Sequence, residues 1–219
     1  MTTVFIIGGA GKIGRRLAQR LTARGHQAVS LHRDPSQADD LRALGAHPVQ
    51  ASLTELDAAA LAQCMAGSDV AVFAAGAGGK GGPEMTQAID GRGLELAVAA
   101  ARLASVKRFV LVSAFPESLR GTQVSDTFEV YMSVKKLAEV HLADTDLDWV
   151  ILRPGTLLDT PGTGTVRTGW ALPYGEVSRD DVAATLVEII EHPALGRAIV
   201  ELTQGSTPVK DSIERLLHA

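Results

Sequence analysis

Three side chains in this sequence could manage a proton and an oxygen between them. Tyr131 and Lys135 stand four apart in YMSVKKLAEVHL, and Ser113 closes the apolar run Arg108-Phe109-Val110-Leu111-Val112. A helix over 131–143 puts the phenol and the ammonium on one face, because residues four apart are neighbours on a helix surface. A phenol with an ordinary pKa of about 10 gives its proton to a developing alkoxide near neutral pH only if something favours the phenolate. A neighbouring ammonium does this, so Lys135 is expected to lower the Tyr131 pKa. A hydroxyl at the end of a strand, such as that of Ser113, can hold a carbonyl oxygen. Each residue also has a plainer reading. Tyr131 serves as a half-buried packing residue, Lys135 shares a solvated face with Lys136, and Ser113 caps a strand end.

A second pattern lies at the start of the chain. Residues 3–16 read TVFIIGGAGKIGRR: an apolar strand, then Gly8, Gly11 and Gly14 at three-residue spacing, with Lys12 and Ile13 opening an amphipathic helix. A strand that turns through glycines into a helix lets backbone amides approach a pyrophosphate, with the positive end of the helix dipole aimed at it. This is the signature of dinucleotide binding, and Lys135 would then also reach the nicotinamide ribose. The second strand, Gln27 to His32, ends at Arg33, where an NAD-specific fold places a carboxylate for the ribose hydroxyls. Arg33, helped by Lys12, Arg15 or His32, would attract a 2′-phosphate, so NADP(H) is expected, with NAD(H) as the alternative. In that alternative Arg33 is merely solvated and Asp34 supplies the acid. The loops at Ser52-Leu53 and Ala74-Ala75-Gly76 leave strand ends on either side of the switch point, where adenine and pyrophosphate would lie.

The elements that must position these groups follow from periodicity. Short β-branched runs alternate with helix-period segments, the mark of a parallel sheet covered by helices. Strands are expected near 3–7, 27–32, 46–50, 69–75, 107–112, 148–152 and 197–202. Helices are expected near 12–24, 36–44, 55–65, 84–104, 131–143, 179–191 and 208–217. Segments 114–130 and 154–177, rich in Gly, Pro, Ser and Thr, fit neither and are read as substrate-side elaborations of one domain spanning 1–219. The fold class is α/β, a doubly wound parallel sheet of about seven strands.

Composition narrows the function. With 219 residues the chain can bury a core without staples, and its one cysteine, Cys64, forms no internal disulfide. A net charge of −4 gives no electrostatic case for nucleic acid. The six histidines have no metal-ligand spacing, so no metal is expected. The first apolar run is too short for a signal peptide, and no apolar stretch is long enough to span a membrane, which predicts a soluble, cytoplasmic protein. Hydrophobic residues make up 46% but aromatics only 4%, so the core is built from Ala, Val, Leu and Ile.

Taken together, GGAGKIG, Arg33, VKRFVLVS, YMSVKKLAE, LDWVILRPGTLLDTPGTG and VSRDDVA resemble the short-chain dehydrogenase/reductase superfamily over essentially the whole chain. They are most similar to its atypical, NmrA-like, NAD(P)H-binding branch. The resemblance implies a Rossmann fold with strand order 3-2-1-4-5-6-7 and a Ser113, Tyr131, Lys135 active site. It also implies a cofactor pocket that Arg153, Pro154, Gly155 and Thr156 help close around the nicotinamide. Ser52 stands where that family commonly has Asp. Some members of the branch have lost the tyrosine or the lysine and sense NADP; this chain keeps both, which favours an enzyme.

The expectation is an NADP(H)-dependent reductase of a small carbonyl or related compound. The rivals are an NADP(H)-sensing regulator, an NAD-dependent epimerase or dehydratase, and a flavin or tetrapyrrole reductase that needs no tyrosine acid. On the substrate side, the loop 76–83 either folds over the cofactor or merely connects. Trp170 and Tyr174 either line a cleft or plug the core. A homo-oligomer is left open.

Overall fold

In the computed structural model, which describes residues 1–115, 118 and 124–218, strand and helix alternate from the first residues. β1 (Thr3–Ile7) is followed by α1 (Lys12–Ala23), β2 (Gln27–His32), a 3-10 turn, α2 (Ala38–Ala43), β3 (His47–Gln50) and α3 (Ala58–Met65). Then come β4 (Val70–Phe73), α4 (Gly82–Thr86), a π-helical turn over Gln87–Arg92, α5 (Gly93–Leu103), β5 (Arg108–Val112) and α6 (Asp126–Ala143). The last part holds β6 (Asp148–Pro154), β7 (Thr156–Leu158), β8 (Thr165–Gly169) and β9 (Glu176–Ser178). It ends with α7 (Arg179–Glu191), β10 (Ala198–Gln204), β11 (Thr207–Pro208) and α8 (Val209–Leu216).

Seven of these strands form a parallel sheet in the order β3-β2-β1-β4-β5-β6-β10, the expected order. The strands read as apolar runs because both faces are covered. Val4, Ile6, Val72, Val110, Val112, Val150 and Leu152 face one way, onto α1, α7 and α8. Phe5, Ile7, Phe73, Phe109, Leu111 and Ile151 face the other, onto α3, α5 and α6. Each such side chain contributes about 1.5–3 kcal/mol by leaving water.

Three features depart from the expected map. Segment 154–177, expected as loop, carries three short strands, because Thr and Val at 165–168 can pair. There β8 runs antiparallel to β10 and β11 adds to its far side, so the sheet has nine strands rather than seven. β7 pairs with β9 in a separate two-stranded unit. The helix expected from 131 begins at Asp126, since the Ser125 hydroxyl caps it by accepting from the Phe128 amide. Tyr131 therefore lies in the second turn. Finally, the helix expected over 84–104 contains the π-helical turn, which turns Asp90 inward to 2% exposure. Seven residues of the unassigned segment 114–130, namely 116, 117 and 119–123, lie outside the described residues. Among the described residues no helix is long and apolar enough to cross a membrane.

Candidate active site and cofactor cleft

The carboxyl ends of β1 to β4 open into a cleft of about 430 Å³. Its floor is the glycine turn. Gly8 has φ +85°, and a side chain there would begin 2.6 Å from the Ala75 amide nitrogen, so only glycine lets β1 and the loop after β4 come together. Gly14 does the same for the first turn of α1, where a Cβ would lie 2.8 Å from the Gly9 Cα. Gly9, which the sequence reading passed over, is pressed against Ser30 of β2 in the same manner. Gly11 is the N-cap of α1 and no side chain caps that end, so its first amides are free to bind an anion. A dinucleotide fits this cradle: glycines where backbone must approach closely, and an uncapped helix N-terminus beside them.

Eight of the predicted cofactor residues line the cleft: Gly8, Gly11, Arg33, Ser52, Leu53, Ala74, Ala75 and Gly76. His32 and Gln37 join them, the latter without any signal in the sequence beyond its place after the second strand. The remaining predictions fall elsewhere. Ile13 is buried in the core and Gly14 serves packing. Lys12 is ion-paired with Asp159, which Arg179 also holds at 2.9 Å, and Arg15 is bound to Asp40. Lys12 and Arg15 thus each hold a carboxylate partner. Asp34, the rival acid, is occupied in capping the 3-10 turn through the Ser36 amide and hydroxyl. Pro154, Gly155 and Thr156 stand away from the cleft. The Gly155 amide donates to the Leu202 carbonyl and the Thr156 amide to the Gly175 carbonyl, so this segment is held by β10 and the chain before β9.

The proton-handling residues gather at the neighbouring strand end. Lys135, 4% exposed, donates from Nζ to the Val112 carbonyl at 2.9 Å and lies 3.7 Å from the Asp90 carboxylate. Asp90 in turn accepts from the Ala77 amide at 2.9 Å and so ties the cleft wall to the lysine. Next to Val112, the Ser113 hydroxyl is buried and has no hydrogen-bond partner among the described residues. An orphaned buried hydroxyl costs free energy unless a ligand satisfies it. Tyr131 sits one turn before Lys135 on the same helix.

One expectation is corrected. Burial first, and the Asp90 carboxylate second, push the Tyr131 phenol up to about 12. The lysine does not lower it, because its charge is already committed to Asp90 and the Val112 carbonyl, and no hydrogen bond joins the two side chains among the described residues. Burial lowers the Lys135 pKa, and Asp90 and Glu139 work against that loss. Asp90 and Glu139 were both missed at the sequence level. Glu139 had a signal, since 131, 135 and 139 share the four-residue spacing. Asp90 had only its place in an otherwise apolar helix.

The two scarce aromatics separate. Tyr174 packs edge-on against Phe115 at 5.5 Å, and its hydroxyl meets those of Thr156 and Ser118. Trp170 is 48% exposed at the far edge of the sheet, in a second cleft lined by Arg167 and Arg215.

This chain is 35% identical over 214 residues to the uncharacterised sugar epimerase YhfK of Bacillus subtilis, covering 97% of this chain and 99% of that protein. A solved structure from Bacillus halodurans, provisionally named an NAD-dependent epimerase/dehydratase, is 30% identical, superposes with a TM-score of 0.90 and covers 98% of this chain and 100% of that one. The oxidoreductase ylbE of Lactococcus lactis, 24% identical with a TM-score of 0.87, covers 99% of this chain and 97% of that one and shares its fold. A family model described as NAD(P)H-binding matches residues 8–193, the span that holds the glycine turn, the cleft and Lys135. The chain thus belongs to the NAD(P)H-binding family.

Proposed function

We propose that this protein is an NADP(H)-dependent reductase of a small carbonyl or related compound. The observation that carries this reading is a buried ammonium, Lys135, and a buried hydroxyl without a partner among the described residues, Ser113, together at the end of β5 beside the cleft, with Tyr131 one turn before Lys135 on α6. When bound, the dinucleotide would supply or accept the hydride. Ser113 would donate a hydrogen bond to the substrate oxygen and hold it. Tyr131 would give that oxygen its proton, and a substrate oxygen gaining negative charge is what makes so reluctant a phenol give it up. Lys135 would orient the cofactor ribose. Arg33 and His32 in the cleft wall, with Asp34 turned into its cap, support NADP(H) over NAD(H).

The test is Tyr131→Phe assayed with a carbonyl, quinone and flavin panel. Turnover should fall at least about 100-fold, while the NADPH dissociation constant stays within about twofold. Undiminished turnover would overturn the acid role and favour flavin-type reduction, which needs no tyrosine. A second reading, sugar epimerisation, is favoured by the name of the Bacillus subtilis relative. Epimerisation converts sugar without net consumption of the dinucleotide, so steady loss of NADPH absorbance during turnover separates the two.

A further inference from the structure

Behind Tyr131 and Lys135, one turn further along α6, stands Glu139, 4% exposed. Its carboxylate accepts both arms of Arg153 on β6, from Nε at 2.9 Å and from Nη2 at 2.6 Å. The remaining arm of Arg153 lies 3.8 Å from Glu201 on β10. The other oxygen of Glu201 accepts from the Leu172 amide at 2.6 Å, in the stretch that leads to Tyr174. A paired carboxylate and guanidinium inside a protein is weak as a stabiliser, since apolar residues of equal size often do as well. What a two-pronged pair supplies is fixed orientation and a fixed charge. Lys135 is faced by Asp90 from the π-helical turn, by the Val112 carbonyl from β5, and by Tyr131 and Glu139 from its own helix.

We propose that Glu139, clamped by Arg153, is a positioning residue that keeps Lys135 protonated and seated at the Val112 carbonyl. The role rests on the Tyr131 and Lys135 reading above. Burial works against the charged form of the lysine, and the Asp90 and Glu139 carboxylates, the latter one helical turn further along α6, oppose that loss. Arg153 holds Glu139 in place but also offsets part of its charge. The two variants that break the clamp therefore have opposite signs. Glu139→Gln removes a negative charge and leaves the guanidinium, so Lys135 loses its proton at lower pH. Arg153→Gln leaves the carboxylate unopposed, so the proton is lost at higher pH.

The experiment is a pH titration of the Lys135 side-chain 13Cε signal, assigned by its loss in Lys135→Met, beside the basic limb of kcat/KM. The expected result is a divergence, each variant moving by about one pH unit in its own direction. Glu201→Gln, beyond Arg153, serves as a control for lost stability. It lowers Tm while leaving the titration in place. Titrations that move together or not at all in a protein silenced by Tyr131→Phe overturn the Glu139 role alone. Divergent titrations in a protein whose Tyr131→Phe variant keeps full turnover overturn the acid chemistry and leave the Glu139 role standing. If Glu139→Gln is not recovered folded, Arg153→Lys against Arg153→Gln decides: an upward shift in the glutamine variant only is the expected result, and equal titrations overturn the proposal.

Discussion

The cofactor cleft and the proton-handling site lie at the same edge of one sheet, yet they are built on different principles. The cleft is made of backbone. Gly8, Gly9, Gly11 and Gly14 are close in sequence, and each acts by lacking a side chain at a crowded point. The proton site is made of side chains from distant parts of the chain: Asp90 meets Lys135, Glu139 meets Arg153, and Glu201 meets Leu172. The first kind of site follows from local rules and tolerates no added atoms. The second depends on long-range pairs, and it fails when one partner is left alone.

The hub of the long-range half outside the site is Arg108. It is 6% exposed, pairs with Asp148, and donates to the Ile189 and Leu195 carbonyls at 2.8 and 2.9 Å. It thereby joins β5, β6 and the end of α7. Arg108→Met strands those two carbonyls, at about 1–3 kcal/mol each, so unfolding in urea should show a loss of about 2–5 kcal/mol. A loss under 1 kcal/mol would mean that the distant pairs matter less than the comparison claims.

Gly14→Ala probes the local half. Its Cβ would start 2.8 Å from the Gly9 Cα, so α1 must move away from β1 and carry its free amides off the pyrophosphate position. NADPH and NADH affinities should fall together, by tenfold or more, as measured by fluorescence titration. Retention of both would show that α1 can shift without harm to the cradle.

These two cases also show what could be read before the structure. The alternation of strand and helix, the glycine turn and the place of Arg33 were legible because each is set by contiguous residues obeying one rule, whereas the strand order came only with the family resemblance. Sequence could place Tyr131 and Lys135 on one helix face, but could not foresee that Asp90, brought in by a π-helical turn from forty-five residues away, would claim the ammonium. The strands in 154–177 were hidden for a related reason. β8 is short and rich in threonine, and β10, formed thirty residues later, is what gives it a partner. Loop-like composition and edge-strand composition differ little until the neighbouring strand is known.

Arg33→Ala sharpens the reading of the cleft by separating the two dinucleotides. Arg33 lines the cleft while Asp34 is held by Ser36, so removing the guanidinium should weaken NADPH by tenfold to about a hundredfold, the worth of one charge-assisted phosphate contact. NADH affinity should change less than about twofold. Equal losses for the two would assign Arg33 to the shape of the cleft and remove the phosphate argument.

The smallest effect is expected at Trp170. In a chain with two tryptophans, an indole half in water invites a role in the site, and its sequence position after Thr156 encouraged that. The fold places it instead on the antiparallel extension of the sheet, beyond β10, with Arg167 and Arg215 as cleft neighbours. About half of its area is removed from water, so burial gives it a modest hold on stability. Trp170→Ala should leave kcat/KM and dinucleotide affinity within about twofold and lower unfolding stability by about 1–2 kcal/mol, the worth of a half-buried indole. Tyr174→Phe is the matched case. It keeps the ring against Phe115 and removes only the hydroxyl shared with Thr156 and Ser118, so it should change KM for the substrate while leaving NADPH affinity alone. If Trp170→Ala disturbed turnover more than Tyr174→Phe, the substrate side would extend past β10 and the site would reach farther along the sheet edge than Tyr174.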